Sequence, residues 1–168
     1  MALTSGRNEE KFIAETIRGV LSQSCPPTAY VIVDDGSTDK TPEILEQFKD
    51  IEVVRLENPR HQTRGVNLAL ALNAGVKRAT ELVPDWDYLL KVDADSVLPP
   101  DYFKSLAIKF QENPRLGLTS GTPQDEKVWR GRASDGAKVY RRGCWDDVKH
   151  FVPCNAFDTI ALLQAKRF

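Results

Sequence analysis

Short apolar runs alternate along the chain with longer stretches whose apolar residues recur every three or four positions. Phe12, Ile13, Ile17, Val20 and Leu21 form one such stripe, which predicts a helix over 9–23 with Asn8 as its N-cap. Cys25-Pro26-Pro27 stops it, because the residue before a proline avoids helical backbone. Tyr30 to Val33 is rich in β-branched residues and reads as a strand. Thr41-Pro42 opens a second helix with proline at its first position, turning Ile44, Leu45 and Phe48 inward. A strand over Ile51 to Leu56, a helix over 65–80 carrying Leu68, Leu72 and Val76, and a strand over Tyr88 to Val92 follow. Pro99-Pro100-Asp101 starts a helix through Phe110, and Leu116 to Ser120 reads as a strand. Beyond Gly121 the periodicity weakens. Residues 121–137 read as a polar loop, followed by a strand over Ala137–Tyr140, a helix over Cys144–Lys149 and a last helix over Thr159–Lys166. This alternation predicts one α/β domain, a mostly parallel sheet with helices on both faces. The first strand is reduced to Ala2-Leu3-Thr4, against a usual length of about 5–6 residues. It is expected to be a short edge strand or a trimmed one.

Two of the strands run straight into acids. Val31-Ile32-Val33 leads to Asp34-Asp35-Gly36-Ser37-Thr38-Asp39, and Leu89-Leu90-Lys91-Val92 leads to Asp93-Ala94-Asp95. Ligands of open α/β sheets bind at such strand ends. Carboxylates gathered there repel one another unless a cation sits among them. Alternate residues of an extended tip point the same way, so Asp93 and Asp95 can face one ligand. Oxygen donors suit Mn²⁺ or Mg²⁺, which are held by one or two carboxylates plus substrate phosphates. The plainer alternatives are a solvated acidic turn at 93–95 and a polar turn at 34–39 with Ser37 or Asp39 capping a helix.

Composition narrows the partners. The 168 residues carry 23 basic and 24 acidic side chains, without the basic excess of a nucleic-acid binder. No apolar run approaches the roughly 20 residues needed to cross a bilayer, and Met1-Ala2-Leu3-Thr4 passes into polar sequence without a leader pattern. Cys25, Cys144 and Cys154 make an odd set with no metal-ligand spacing, as expected of idle thiols in a reducing, cytoplasmic setting.

Taken together, these residues resemble family 2 of the inverting glycosyltransferases, over nearly the whole chain. Asn8-Glu9-Glu10-Lys11-Phe12-Ile13 is similar to the family's opening segment, and Leu21-Ser22-Gln23-Ser24 to the helix end before its second strand. Asp34 to Asp39 resembles the nucleotide-contacting turn. Asp93-Ala94-Asp95 with Leu98-Pro99-Pro100-Asp101 resembles the metal motif and the helix after it, and Tyr140-Arg141-Arg142 the step before the acceptor region. The resemblance implies a GT-A, Rossmann-like fold and a metal-dependent transferase. Such an enzyme moves a sugar from a UDP- or GDP-linked donor to a hydroxyl acceptor of unknown nature, with inversion. It implies that Asp34 and Asp35 contact the nucleobase, that Thr4 approaches the nucleotide, and that Asp93 meets the ribose or a metal-bound water. It implies that Asp95 binds the metal, with Asp93 beside it. Phe157-Asp158-Thr159-Ile160 is similar to the stretch that carries the family's catalytic base, which points to Asp158; the competing role of Asp158 is an N-cap of the last helix. Arg64 is a candidate for the base or phosphate, against a plain surface cation. Gly6 and Arg7 stand where the family carries an aromatic residue, which removes a stacking surface for the base.

The resemblance divides the domain into a nucleotide-sugar part, 1–120, and an acceptor-side part, 121–168, with trimming expected at both termini. A peripheral position on the inner face of a membrane, with a lipid-linked acceptor, is compatible with it. His61 and His150 read as surface residues, Trp86 and Trp145 as packing, and Trp129 as a candidate on the acceptor side. Two other functions are open on sequence. A degenerate domain would hold nucleotide without turnover. Asp93-Ala94-Asp95-Ser96-Val97 also resembles the nucleophile motif of haloacid-dehalogenase-type phosphatases, although there it follows the first strand. A nucleotidyltransferase is weaker still, for lack of a glycine- and lysine-rich phosphate loop.

Overall fold

The computed structural model describes residues 1–57, 63–122 and 133–165. His61, Trp129, most of the 121–137 loop and the end of the last helix at Lys166 lie outside them. Six strands form one sheet in the order β3-β2-β1-β4-β6-β5. They are β1 (Ala2–Gly6), β2 (Tyr30–Asp34), β3 (Glu52–Arg55), β4 (Tyr88–Asp93), β5 (Leu118–Ser120) and β6 (Ala137–Arg141). The β3, β2, β1 and β4 strands run parallel, while β6 is antiparallel to both β4 and β5. The helices are α1 (Ile13–Leu21), α2 (Thr41–Leu45), α3 (Arg64–Leu82), α4 (Tyr102–Glu112), α5 (Arg142–Val148) and α6 (Phe157–Ala165).

Two apolar clusters, one on each face of the sheet, account for the helical layers. Leu3, Val31, Val33 and Leu89 face α3, α5 and α6 through Leu72, Val76, Trp145 and Phe157. Ala2, Ile32, Leu90 and Val92 face α1 and α4 through Ile13, Ile17, Val20 and Phe110. Strands buried on both faces carry near-continuous apolar runs, which is why they were legible in the sequence.

Two expectations are corrected here. The first strand is neither short nor an edge. β1 spans Ala2–Gly6 and lies in the middle of the sheet, paired with β2 on one side and β4 on the other. Ser5 and Gly6 are polar or small because they form its ligand-side tip. Asn8 is not the cap of α1. The residue before α1 is Phe12, and Asn8 sits at φ 60° with its side chain turned to another loop.

The α3 helix comes very close to the sheet at Gly75. A Cβ there would lie 2.2 Å from Leu3 Cδ1 and 2.7 Å from Val33 Cγ2, both in the core. Alanine would gain about 1 kcal/mol of helix propensity. It would lose about 1–3 kcal/mol to overpacking, and the closeness of the contact puts it at the upper end of that range. Gly75→Ala is therefore expected to lower stability by about 1–2 kcal/mol in urea unfolding. A variant as stable as the native chain would contradict this packing.

Candidate active site at the strand ends

The carboxyl ends of β2, β1 and β4 lie side by side. Gly6 pairs with Asp34, and Ser5 with Asp93. With strands about 4.8 Å apart, the tips of β2 and β4 stand roughly 10 Å from each other across β1. The segment after β1 ties them together. Gly6 packs against the Glu9 side chain and against Ala94, and its carbonyl accepts the Asp35 N–H at 2.9 Å. The Asn8 side chain accepts the Thr38 N–H at 2.8 Å, Ser37 Oγ accepts the Asn8 N–H at 2.9 Å, and Asp39 Oδ2 accepts the Glu10 N–H at 3.2 Å. The two acidic tips thus stand at the same end of the sheet, tied together by one segment.

The turn after β2 is rigid. Asp34 Oδ1 accepts the Ser37 N–H at 3.0 Å, and Gly36 takes φ 72°, a left-handed backbone that favours glycine. Asp39 Oδ1 accepts the Thr41 N–H at 2.9 Å at the start of α2, so Asp39 supports that helix while Ser37 does not. Asp34 and Asp35 are 4% and 8% exposed, a degree of burial that a merely solvated turn would not have. The tip of β4 is held from both sides. Thr16 Oγ1 donates to the Ala94 carbonyl at 2.8 Å, and the Asp93 N–H donates to the Gly136 carbonyl at 2.8 Å.

The electrostatics show which groups share the cleft. Glu9 has its pKa raised, first by burial and then by Asp95, with Asp39 and Asp93 adding to it and Arg64 opposing. Asp93 is also raised, first by burial; Lys91 opposes that shift, and Asp158 and Asp95 add to it. Glu9 therefore feels the charges of Asp93 and Asp95, and Asp93 those of Asp95 and Asp158. Asp95 is exposed, Asp93 half-buried, and Arg64 exposed at the start of α3. Among the described residues no three His, Cys, Asp or Glu side chains already converge as a metal cage. The donor set nevertheless fits a hard cation that completes its shell with phosphate oxygens: it is all-carboxylate, mutually repelling, and exposed at Asp95.

Asp158 reaches this centre from α6. Its Oδ1 accepts from Lys138 Nζ at 3.2 Å and not from the N–H groups of its own helix, so the capping role is not the one it plays. Thr4 is fully buried, its hydroxyl paired with Tyr30 Oη at 2.8 Å. The adjacent Ser5 points to the opposite face, beside Asp93 in register, and its buried Oγ has no hydrogen-bond partner among the described residues. Trp86 and Trp145 are packed, and His150 is exposed, as expected. Cys144 is buried with its thiol pushed up to about 11, first by burial and then by Asp147, which leaves it unreactive.

Sequence reasoning missed Lys91 and Lys138, the two buried cations beneath the acids, and it gave Glu9 no role. The available signal was parity. In Leu89-Lys91-Asp93 and Lys138-Tyr140, lysine occupies the face that buries Leu89 and Tyr140.

Residues 5–164 match the family described as Glycosyl transferase family 2. The chain belongs to that family. A poly-beta-1,6-N-acetyl-D-glucosamine synthase of Staphylococcus epidermidis is 35% identical over 120 residues, covering 70% of this chain and 26% of that protein. This family 2 chain thus spans about a quarter of the length of the curated relatives it matches. Among solved structures, S. aureus TarS 1–349 in complex with UDP superimposes with TM-score 0.73 at 23% identity, over 98% of this chain and 54% of that one. The mannosyltransferase PcManGT from Pyrobaculum calidifontis, in complex with GDP-Man and Mn²⁺, gives TM-score 0.69 at 22% identity, over 95% and 49%. These likenesses establish the GT-A fold. They leave the phosphatase alternative without support, since its motif belongs after a first strand and here follows the fourth.

Proposed function

We propose that this family 2 chain carries the donor site and the base of a metal-dependent, inverting sugar transfer from a UDP- or GDP-linked donor to a hydroxyl acceptor. The observation that supports it most is that Asp93 at the tip of β4 shares its charge environment both with Glu9 of the segment after β1 and with Asp158 of α6. Residues 1–120 would hold the donor and 121–168 the acceptor side. Asp34 and Asp35 accept hydrogen bonds from the nucleobase, and Arg64 offsets charge on the diphosphate side. Asp95 holds Mn²⁺ or Mg²⁺ with Asp93 beside it, and the ion supplies positive charge against the leaving diphosphate. Asp158 takes the proton of the acceptor hydroxyl as that oxygen bonds to the anomeric carbon. The bond from that carbon to the diphosphate breaks on the opposite side, and its electron pair leaves with the nucleotide. TarS and the mannosyltransferase, whose structures hold UDP and GDP-Man, lend support to such a donor.

No helix among the described residues is long and apolar enough to cross a membrane. A nucleotide-linked donor suits a cytoplasmic site, at the inner face of a membrane where the acceptor is lipid-linked. Isothermal titration with UDP and GDP, with and without Mn²⁺, tests the donor site. Binding of one nucleotide is expected to tighten at least about tenfold with Mn²⁺. Failure of both nucleotides to bind under either condition would reject the proposal, and binding without any transfer would leave a nucleotide-holding domain.

A further inference from the structure

Two lysines occupy positions where the sheet interior otherwise holds apolar side chains. Lys91 on β4 and Lys138 on β6 face each other directly in register, their side chains 2% and 1% exposed. Like charges opposite one another across a strand pair are destabilising, and a buried ammonium is costly unless it is paired. Three carboxylates meet that cost. Lys91 Nζ lies 2.5 Å from Asp93 Oδ1 and donates to the Asp135 carbonyl at 2.9 Å. Lys138 Nζ lies 2.5 Å from Asp135 Oδ1 and 3.2 Å from Asp158 Oδ1. Each lysine thus reaches one carboxylate of the cleft, and both hold Asp135, where the acceptor-side loop enters β6.

Stability alone does not explain such a network, because well-packed apolar side chains stabilise an interior as well or better. Position gives the better account. The Asp158 side chain is 20% exposed, and it faces Asp93 and the buried Tyr140 hydroxyl, whose ionised form Asp158 disfavours. Asp93 repels a charge on Asp158. Lys138 is the one cation hydrogen-bonded to Asp158 among the described residues, and it engages a single oxygen, Oδ1.

We propose that Lys138 is a positioning residue for sugar transfer: its buried ammonium anchors Asp158 Oδ1, so that Oδ2 is held toward the acceptor hydroxyl. This rests on Asp158 being the base, and the test separates the two. UDP release from UDP-N-acetylglucosamine and GDP release from GDP-mannose, with Mn²⁺ and with water as acceptor, are compared for the native chain, Lys138→Met, Lys138→Arg and Asp158→Asn. Carbodiimide labelling of carboxyls, read by peptide mass spectrometry, follows Asp158 independently of turnover, with Asp101 as an internal reference. Lys138→Met is expected to lower kcat about 100-fold. KM is expected to stay within about threefold. Asp158 should label several-fold faster than in the native chain while Asp101 does not change, and Lys138→Arg should recover most of both losses. Turnover lost in Asp158→Asn but kept in Lys138→Met, with unchanged Asp158 labelling, overturns the role of Lys138 alone. Turnover indifferent to both variants overturns the base assignment and the role of Lys138 with it. Should Lys138→Met not fold, Lys138→Leu removes the ammonium and its hydrogen bond to Asp158 in the same way, and the same outcomes are read from it.

Discussion

Asp158→Asn is expected to reduce sugar transfer by about 10²–10⁴-fold while leaving UDP or GDP affinity within a small factor of native. The substitution keeps the shape of the side chain and an oxygen to accept from Lys138 Nζ, so α6 and the 3.2 Å contact should survive. What disappears is the carboxylate proposed to accept the proton. The donor end of the cleft is built by other elements, β1, β2 and β4, and does not depend on that charge. The measurement is a kcat and KM pair for nucleotide release, alongside a binding titration. A variant that transfers at the native rate would remove Asp158 from the chemistry. One that loses nucleotide binding in parallel would make it a structural residue.

Asp95→Ala is expected to abolish the part of nucleotide binding that depends on Mn²⁺. The affinity measured in Mn²⁺ should fall at least about tenfold, a loss of about 1.4 kcal/mol, to the value seen without the ion. Asp95 is the cleaner probe of the two acids. It is exposed, and no hydrogen bond or ion pair of the fold engages its side chain among the described residues. Asp93 is 2.5 Å from the buried Lys91, so its removal would leave a buried ammonium short of a partner. Loss of function in an Asp93 variant would therefore mix folding with metal binding. Retained Mn²⁺ dependence in Asp95→Ala would exclude this residue as the ligand.

The fold was legible because its strands are buried on both faces, and each such strand announces itself as an apolar run between helical stripes. The failures were local choices decided by distant partners. Asn8 has a side chain suited to capping, but the same oxygen suits a loop amide, and Thr38, 30 residues away, is the one that takes it. β1 looked too short because Ser5 and Gly6 are polar or small, as a strand tip at a ligand cleft can be, and only the sheet order reveals that it is central. Side-chain parity, which a motif does not display, turns the Thr4 hydroxyl to the α1 face, against Tyr30, and turns Ser5 to the other. The acidic motifs at 34–39 and 93–95 were visible as sequence. Their support was not, since the opposition of Lys91 and Lys138 exists only through the antiparallel register of β4 and β6.

The central claim is that Asp95, with Asp93 beside it at the tip of β4, joins a nucleoside diphosphate in holding one cation. The electron paramagnetic resonance signal of free Mn²⁺, titrated with the chain, with nucleotide, and with both, tests it most directly. The signal should fall most when the native chain and UDP or GDP are present together, beyond what either does alone, and Asp95→Ala should abolish that excess. A native chain that adds nothing to what UDP and GDP by themselves remove would contradict the account.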